Sequence, residues 1–207
     1  MNNGAPNFKP SGTPMLKFFS SIALCGVLAG CASIQQPSPS STETTPTTSA
    51  PACPSPADLP ATLLGQFEPA VDDALLAKAL GPADKGGLCT GRVYQAKADT
   101  NVMLFRAWNS TNPNSKLGKW WAFGKPEGKT ADYRKDYVIC YEWTPLDMLA
   151  QCRVKAGTKI VIGPGQSMQC SQYLTYPASA RQQVYIDDAA GSLDNCSTFN
   201  GTFSWQP

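Results

Sequence analysis

Between positions 58 and 80 the apolar residues Leu63, Leu64, Phe67, Val71, Ala74, Leu75 and Leu80 recur mostly three or four positions apart. That spacing marks one face of a helix and predicts a helix over 58–80. Pro69 breaks or restarts it, because proline lacks the N–H that a helix interior needs. Gly81-Pro82 stops the run. Beyond Gly91 the texture changes to short runs rich in β-branched and aromatic residues, separated by Gly, Pro and Asn. These predict strands at 102–108, 119–123, 151–156, 159–162 and 183–186. A helix is expected over 130–141, and 144–149 reads as the start of another. Gly163-Pro164-Gly165 reads as a turn, since no phosphate-loop Lys-Ser/Thr follows it. The pattern predicts a single disulfide-stabilised α+β domain over 58–207, with an N-terminal helix and a compact mixed β-sheet core. About 150 residues can bury an adequate core.

The N-terminal pattern is of another kind. Lys17 precedes an apolar run from Phe18 to Leu28, and Leu28-Ala29-Gly30-Cys31 follows. A positive flank, a short hydrophobic stretch and small residues are the layout of a secretory signal. The run falls well short of the roughly 20 residues that cross a bilayer as a helix. Met15 is a second possible start. Leu28-Ala29-Gly30-Cys31 resembles the lipobox of bacterial lipoproteins. The resemblance implies a signal peptide over 1–30, cleavage before Cys31 and an acyl-bearing Cys31. Ala32, rather than Asp, follows the lipidated position, which in a Gram-negative cell envelope implies the outer membrane; a Gram-positive source would place the protein on the outer leaflet of its single membrane. Two or three acyl chains, at ~0.8 kcal/mol per buried CH₂, make a stable membrane anchor. From Gln36 to about Pro56 the chain is mostly Ser, Thr, Pro and Ala. Such a segment cannot bury a core, so 31–57 reads as an extended tether.

Composition narrows the chemistry. The chain carries 17 Lys and Arg against 15 Asp and Glu, and loss of the leader removes Lys9 and Lys17, leaving a neutral mature chain. Neutrality argues against nucleic acid as a partner. There is no histidine, which removes Ser-His-Asp and Cys-His nucleophile systems and the usual zinc sites. Of the 8 cysteines, Cys25 leaves with the leader and Cys31 takes lipid. The remainder are Cys53, Cys89, Cys140, Cys152, Cys170 and Cys196. An even number in an exported chain predicts three disulfides of open connectivity, with Cys53 stapling the tether to the domain. No CxxC pair suggests a metal site instead.

Four local patterns follow one another along the domain. Val102-Met103-Leu104-Phe105-Arg106-Ala107-Trp108 sets a cation inside an apolar strand, and Gly118-Lys119-Trp120-Trp121-Ala122-Phe123 comes next. Tyr133-Arg134-Lys135-Asp136 leads to Tyr141-Glu142-Trp143. Last come Lys155-Ala156-Gly157-Thr158-Lys159-Ile160-Val161-Ile162-Gly163 and Arg181-Gln182-Gln183-Val184-Tyr185-Ile186. In order and spacing, over about 102–186, they resemble the ADP-ribosyltransferase-like toxin superfamily. The resemblance implies NAD as substrate, cleaved to nicotinamide and ADP-ribose by hydrolysis or by transfer to a protein. Arg106 would contact the NAD diphosphate, with Arg134 a second phosphate contact. Trp120 or Trp121 would offer an aromatic face to the cationic nicotinamide. Gln183 would hydrogen-bond the nicotinamide ribose. Ala122 stands where the family carries Thr or Ser, Pro177-Ala178-Ser179-Ala180 replaces a Gly-rich approach, and Gln183 replaces Glu. The last departure favours hydrolysis or an inactive, binding-only descendant.

Plainer roles fit the same residues. Arg106 could pair with an acid such as Asp136, the tryptophans could pack the core, and Gln183 could satisfy buried backbone groups. Two functions therefore stand side by side. One is a lipid-anchored NAD-consuming enzyme that meets a protein target or a cognate inhibitor. The other is a non-catalytic envelope binding or immunity-type lipoprotein held by three disulfides.

Overall fold

The computed structural model describes residues 53–201. The lipobox, Cys31 and most of the tether lie outside the described residues. The domain mixes helix and sheet and is mostly strand. In chain order its strands are β1 (Phe67–Pro69), β2 (Arg92–Ala96), β3 (Met103–Trp108), β4 (Trp120–Trp121), β5 (Met148–Val154), β6 (Lys159–Gly165), β7 (Met168–Gln169), β8 (Thr175–Tyr176), β9 (Ser179–Tyr185) and β10 (Leu193–Asn200). The helices are α1 (Asp73–Ala79), α2 (Thr130–Asp136) and α3 (Ala189–Ser192).

A five-stranded sheet runs β1-β2-β6-β9-β4, and a three-stranded sheet runs β10-β5-β3. Every named pairing is antiparallel, so the sheets are not mixed in direction as expected. A bridge between Phe105 and Ala122 joins the two sheets where β3 meets β4. Their facing surfaces enclose the main core, where Leu104, Trp121, Ala150, Cys152, Val154, Ile160, Ile162, Val184 and Ile186 are buried. Successive strand residues point to opposite faces. Val161, between Ile160 and Ile162, therefore turns outward and is covered by Leu75, Leu76 and Ala79 of α1. Because both faces of β6 are buried, Ile160-Val161-Ile162 reads as a continuous apolar run.

α1 is set by local chemistry. The Asp72 carboxylate accepts from Leu75 N–H at 3.0 Å, Asp73 occupies the first turn and Lys78 the last. Each charge lies at the helix end whose dipole favours it. The expected helix over 58–80 is thus only its last third. Ala61–Leu63 is a 3₁₀ turn and Phe67–Pro69 is β1. The apolar spacing misled because its positions do not share a face: Leu64 is 61% exposed and Val71 85%, whereas Phe67 is buried opposite Ala96.

Other differences have similar causes. Helix 130–141 ends at Asp136, followed by Val138 at φ 53°. No helix starts at 144–149, where Leu146 at φ 60° turns the chain into β5. Gly163-Pro164-Gly165 is not a turn but the buried end of β6. Pro164 O accepts from Cys89 N–H, and a side chain at Gly163 would collide with the Thr90 carbonyl. Glycine is needed there for close backbone approach. The six cysteines form three disulfides, Cys53–Cys89, Cys140–Cys170 and Cys152–Cys196. Ala57, inside the stretch read as tether, is already buried.

Candidate functional site

A cleft of about 500 Å³ opens beside the junction of β3 and β4. Arg106, Trp120, Trp121 and Gln183, which the sequence placed on three separate strands, all line it. The end of α1, loop 81–87 and segment 137–144 complete the lining. None of the lining residues is Asp or Glu; Lys85 and Arg106 contribute cations, while the lining Lys78 is paired with Asp187 at 2.5 Å.

Arg106 is half-buried on β3. Its Nε donates to Ser115 O at 2.8 Å and its Nη1 to Trp120 O at 2.7 Å. Nη2 has no hydrogen-bond partner among the described residues. Gly118 lies directly against this guanidinium, and a side chain there would collide with it. Burial lowers the Arg106 pKa, opposed by the neighbouring Tyr133. The expected acid partner is absent, because Asp136 pairs with Arg181 at 3.0 Å. Backbone carbonyls are weak counter-charges, so the cleft keeps a net positive floor.

Gln183 is buried on β9, where its Nε2 donates to Tyr137 O at 3.2 Å. Its Oε1 makes no hydrogen bond among the described residues, so an acceptor remains available. Gly165 leaves room for the amide, since a side chain there would collide with Nε2.

The two tryptophans divide as strand alternation requires. Trp121 enters the main core and donates from Nε1 to Gly118 O at 2.7 Å. Trp120 faces the α1 side and meets the Tyr185 ring edge-on at 4.9 Å. Both therefore pack, and each presents only part of its surface to the cleft.

Arg134 does not line the cleft. It donates to Cys140 O at 3.2 Å and to Thr144 O at 2.6 Å, clamping the turn between them. Burial lowers its pKa, with Tyr176 and Glu142 acting against that. The structure therefore does not bring Arg134 together with Arg106, Trp120, Trp121 and Gln183 in the lining.

The lining includes residues to which the sequence pattern assigned no site role. Tyr133 is buried, with its pKa raised chiefly by burial, and lies 4.6 Å from the Tyr137 ring. Burial raises Tyr137 as well. Trp143 is 53% exposed at the cleft edge. The Trp108 indole N–H is buried with no acceptor among the described residues. A buried donor left unmatched is costly and marks a place that an acceptor would fill. The density of aromatics over 133–143 was the available signal for this wall. The arrangement is aromatic, donor-rich and free of carboxylates, and so suits an anionic ligand with a flat ring. Comparisons with family models, with characterised proteins and with solved structures each return no match.

Proposed function

We propose that this chain is a lipid-anchored extracytoplasmic protein whose cleft takes NAD and cleaves it to nicotinamide and ADP-ribose. The observation that supports this reading is convergence: Arg106, Trp120, Trp121 and Gln183, assigned by resemblance from distant stretches, line one cleft. In this reading the Arg106 guanidinium faces the diphosphate with its remaining N–H groups. The aromatic wall receives the nicotinamide, and Gln183 Oε1 accepts from a ribose hydroxyl. Loss of nicotinamide through an oxocarbenium-like state then rests on positioning and electrostatics, which require no histidine. With no carboxylate in the lining to activate a protein nucleophile, water is the preferred acceptor. A binding-only role is favoured by one observation: Arg106 already spends two donors on backbone carbonyls.

The test uses the mature lipoprotein in detergent, oxidised and incubated with NAD while nicotinamide release is followed. Release is expected from the wild type and is expected to fall at least ~100-fold in Gln183→Ala, as for loss of a single transition-state contact. A rise in melting temperature with NAD but no release would establish the binding-only role. Neither release nor a thermal shift would remove NAD as the ligand.

A further inference from the structure

We propose that the Cys140–Cys170 disulfide straps two lining segments of the cleft together, so that the cleft takes its ligand-binding shape only in an oxidising compartment. Cys140 belongs to segment 137–144, which gives Tyr137, Val138, Ile139, Trp143 and Thr144 to the lining. Cys170 follows β7 in the β7–β8 hairpin, which does not itself line the cleft. That hairpin is hydrogen-bonded to loop 84–86. Gly86 N–H donates to Ser167 O at 2.9 Å, Gln169 N–H to Asp84 O at 3.1 Å, and Asp84 N–H to Ser167 Oγ at 2.9 Å. The same loop brings Lys85, Gly86 and Gly87 to the lining. One disulfide, 5.4 Å between Cα atoms, therefore connects both lining segments.

The other two bridges do different work. Cys152–Cys196 joins β5 to β10, which are already paired as neighbouring strands. Cys53–Cys89 ties the entry of the chain to the start of β2's connection. No strand pairing joins segment 137–144 to the β7–β8 hairpin; the Tyr141–Ser171 hydrogen bond is a side-chain link beside the disulfide. Segment 137–144 is also not a regular element that would hold its own shape. Val138 sits at φ 53°, a strained conformation for a β-branched residue. The Arg134 clamp fixes the turn to its own helix, not to the loop across the cleft.

The bridge forms when the two thiols exchange with an external disulfide, which takes up two electrons and two protons and leaves as a dithiol. In a reducing cytoplasm the pair stays as thiols. Resting on the NAD reading, the strap means the unexported chain is disarmed in the compartment that holds NAD.

Hydrogen exchange on the mature lipoprotein in detergent tests the strap without any ligand. In the double variant Cys140→Ser/Cys170→Ser, amides of 138–145 and 166–174 should exchange at least ~10-fold faster, while β5, β6 and β9 keep their protection. Unchanged exchange in the two segments, or a uniform rise across the domain, would overturn the proposal. Partial reduction of the wild type, with the freed thiols mapped by mass, should loosen the same two segments. The NAD-induced thermal shift should disappear with the strap. If the exchange pattern appears but the wild type shows no NAD response, the ligand assignment fails and the strap stands.

Discussion

The centre of the five-stranded sheet and the wall of the cleft are built on opposite principles. In β6 and β9 the apolar residues Ile160, Val161, Ile162 and Val184 are fully buried and the backbone is paired on both sides. Shape there follows from strand alternation and packing. Segment 137–146 has no such regularity. It carries two left-handed non-glycine residues, Val138 and Leu146, and is held by an arginine clamp, a glutamine and a disulfide. The first region is stable because side chains exclude water. The second is shaped by polar groups spent on backbone carbonyls, which leaves its surface free to meet a ligand.

The largest effect should come from breaking the sheet. Ile162→Ala removes a side chain buried between both sheets, and little can collapse into the space. A loss of ~2–5 kcal/mol is expected, from the transfer of the missing methylenes plus the cavity left behind. Urea unfolding should show a lower midpoint with unchanged slope. A loss below ~1 kcal/mol would mean that this sheet is not the stability centre.

How far these two regions were legible in the sequence follows from the same contrast. The strands of the core were visible as short runs rich in β-branched and aromatic residues, such as Ile160-Val161-Ile162, bounded by Gly, Pro and Asn. β10 was not, since after Leu193 its residues are largely exposed and no apolar face exists to read. Its position is fixed by pairing with β5 and by Cys152–Cys196. In the site, Arg106 stood out as a cation inside an apolar run. Its partners did not, because Ser115 in the β3–β4 connection and Trp120 on β4 offer backbone carbonyls, and a carbonyl has no sequence signature. Asp136, the acid that seemed available, is taken by Arg181 through a contact 45 positions along the chain. Disulfide pairing was open for the same reason: it depends on which loops meet in space.

A middle-sized effect separates packing from clamping. Arg106→Met keeps much of the aliphatic stem but leaves the Ser115 and Trp120 carbonyls without their charged donors. Loss of hydrogen bonds to a charged group predicts ~1.5–3 kcal/mol. Arg106→Lys should not restore it, because an ammonium cannot present the fixed fork that reaches both carbonyls. Equal stability of the Lys variant and wild type, measured by urea unfolding, would reduce the clamp to a simple charge.

The smallest effect lies outside both regions, at Asp187. Its carboxylate is held below the usual range by hydrogen bonds from Lys119, then Lys78 and the Tyr185 hydroxyl, against a smaller desolvation cost. The ion-pair distances are 2.8 Å to Lys119 and 2.5 Å to Lys78. A carboxylate depressed in the folded state contributes stability that is present above its unfolded pKa of about 3.9. That contribution fades as pH falls through the lower folded value. Wild type should therefore melt slightly above Asp187→Asn at pH 6, and the gap should narrow progressively below about pH 4. Because the lysines are more than half exposed, about 1 M salt should shrink the same gap at pH 6. Lys78 also lines the cleft, so the Asn variant frees a cation there. If the cleft takes an anion, Asp187→Asn should bind it slightly more tightly while melting slightly lower. Opposite signs for stability and affinity would set the surface network apart from the core, where the two should fall together.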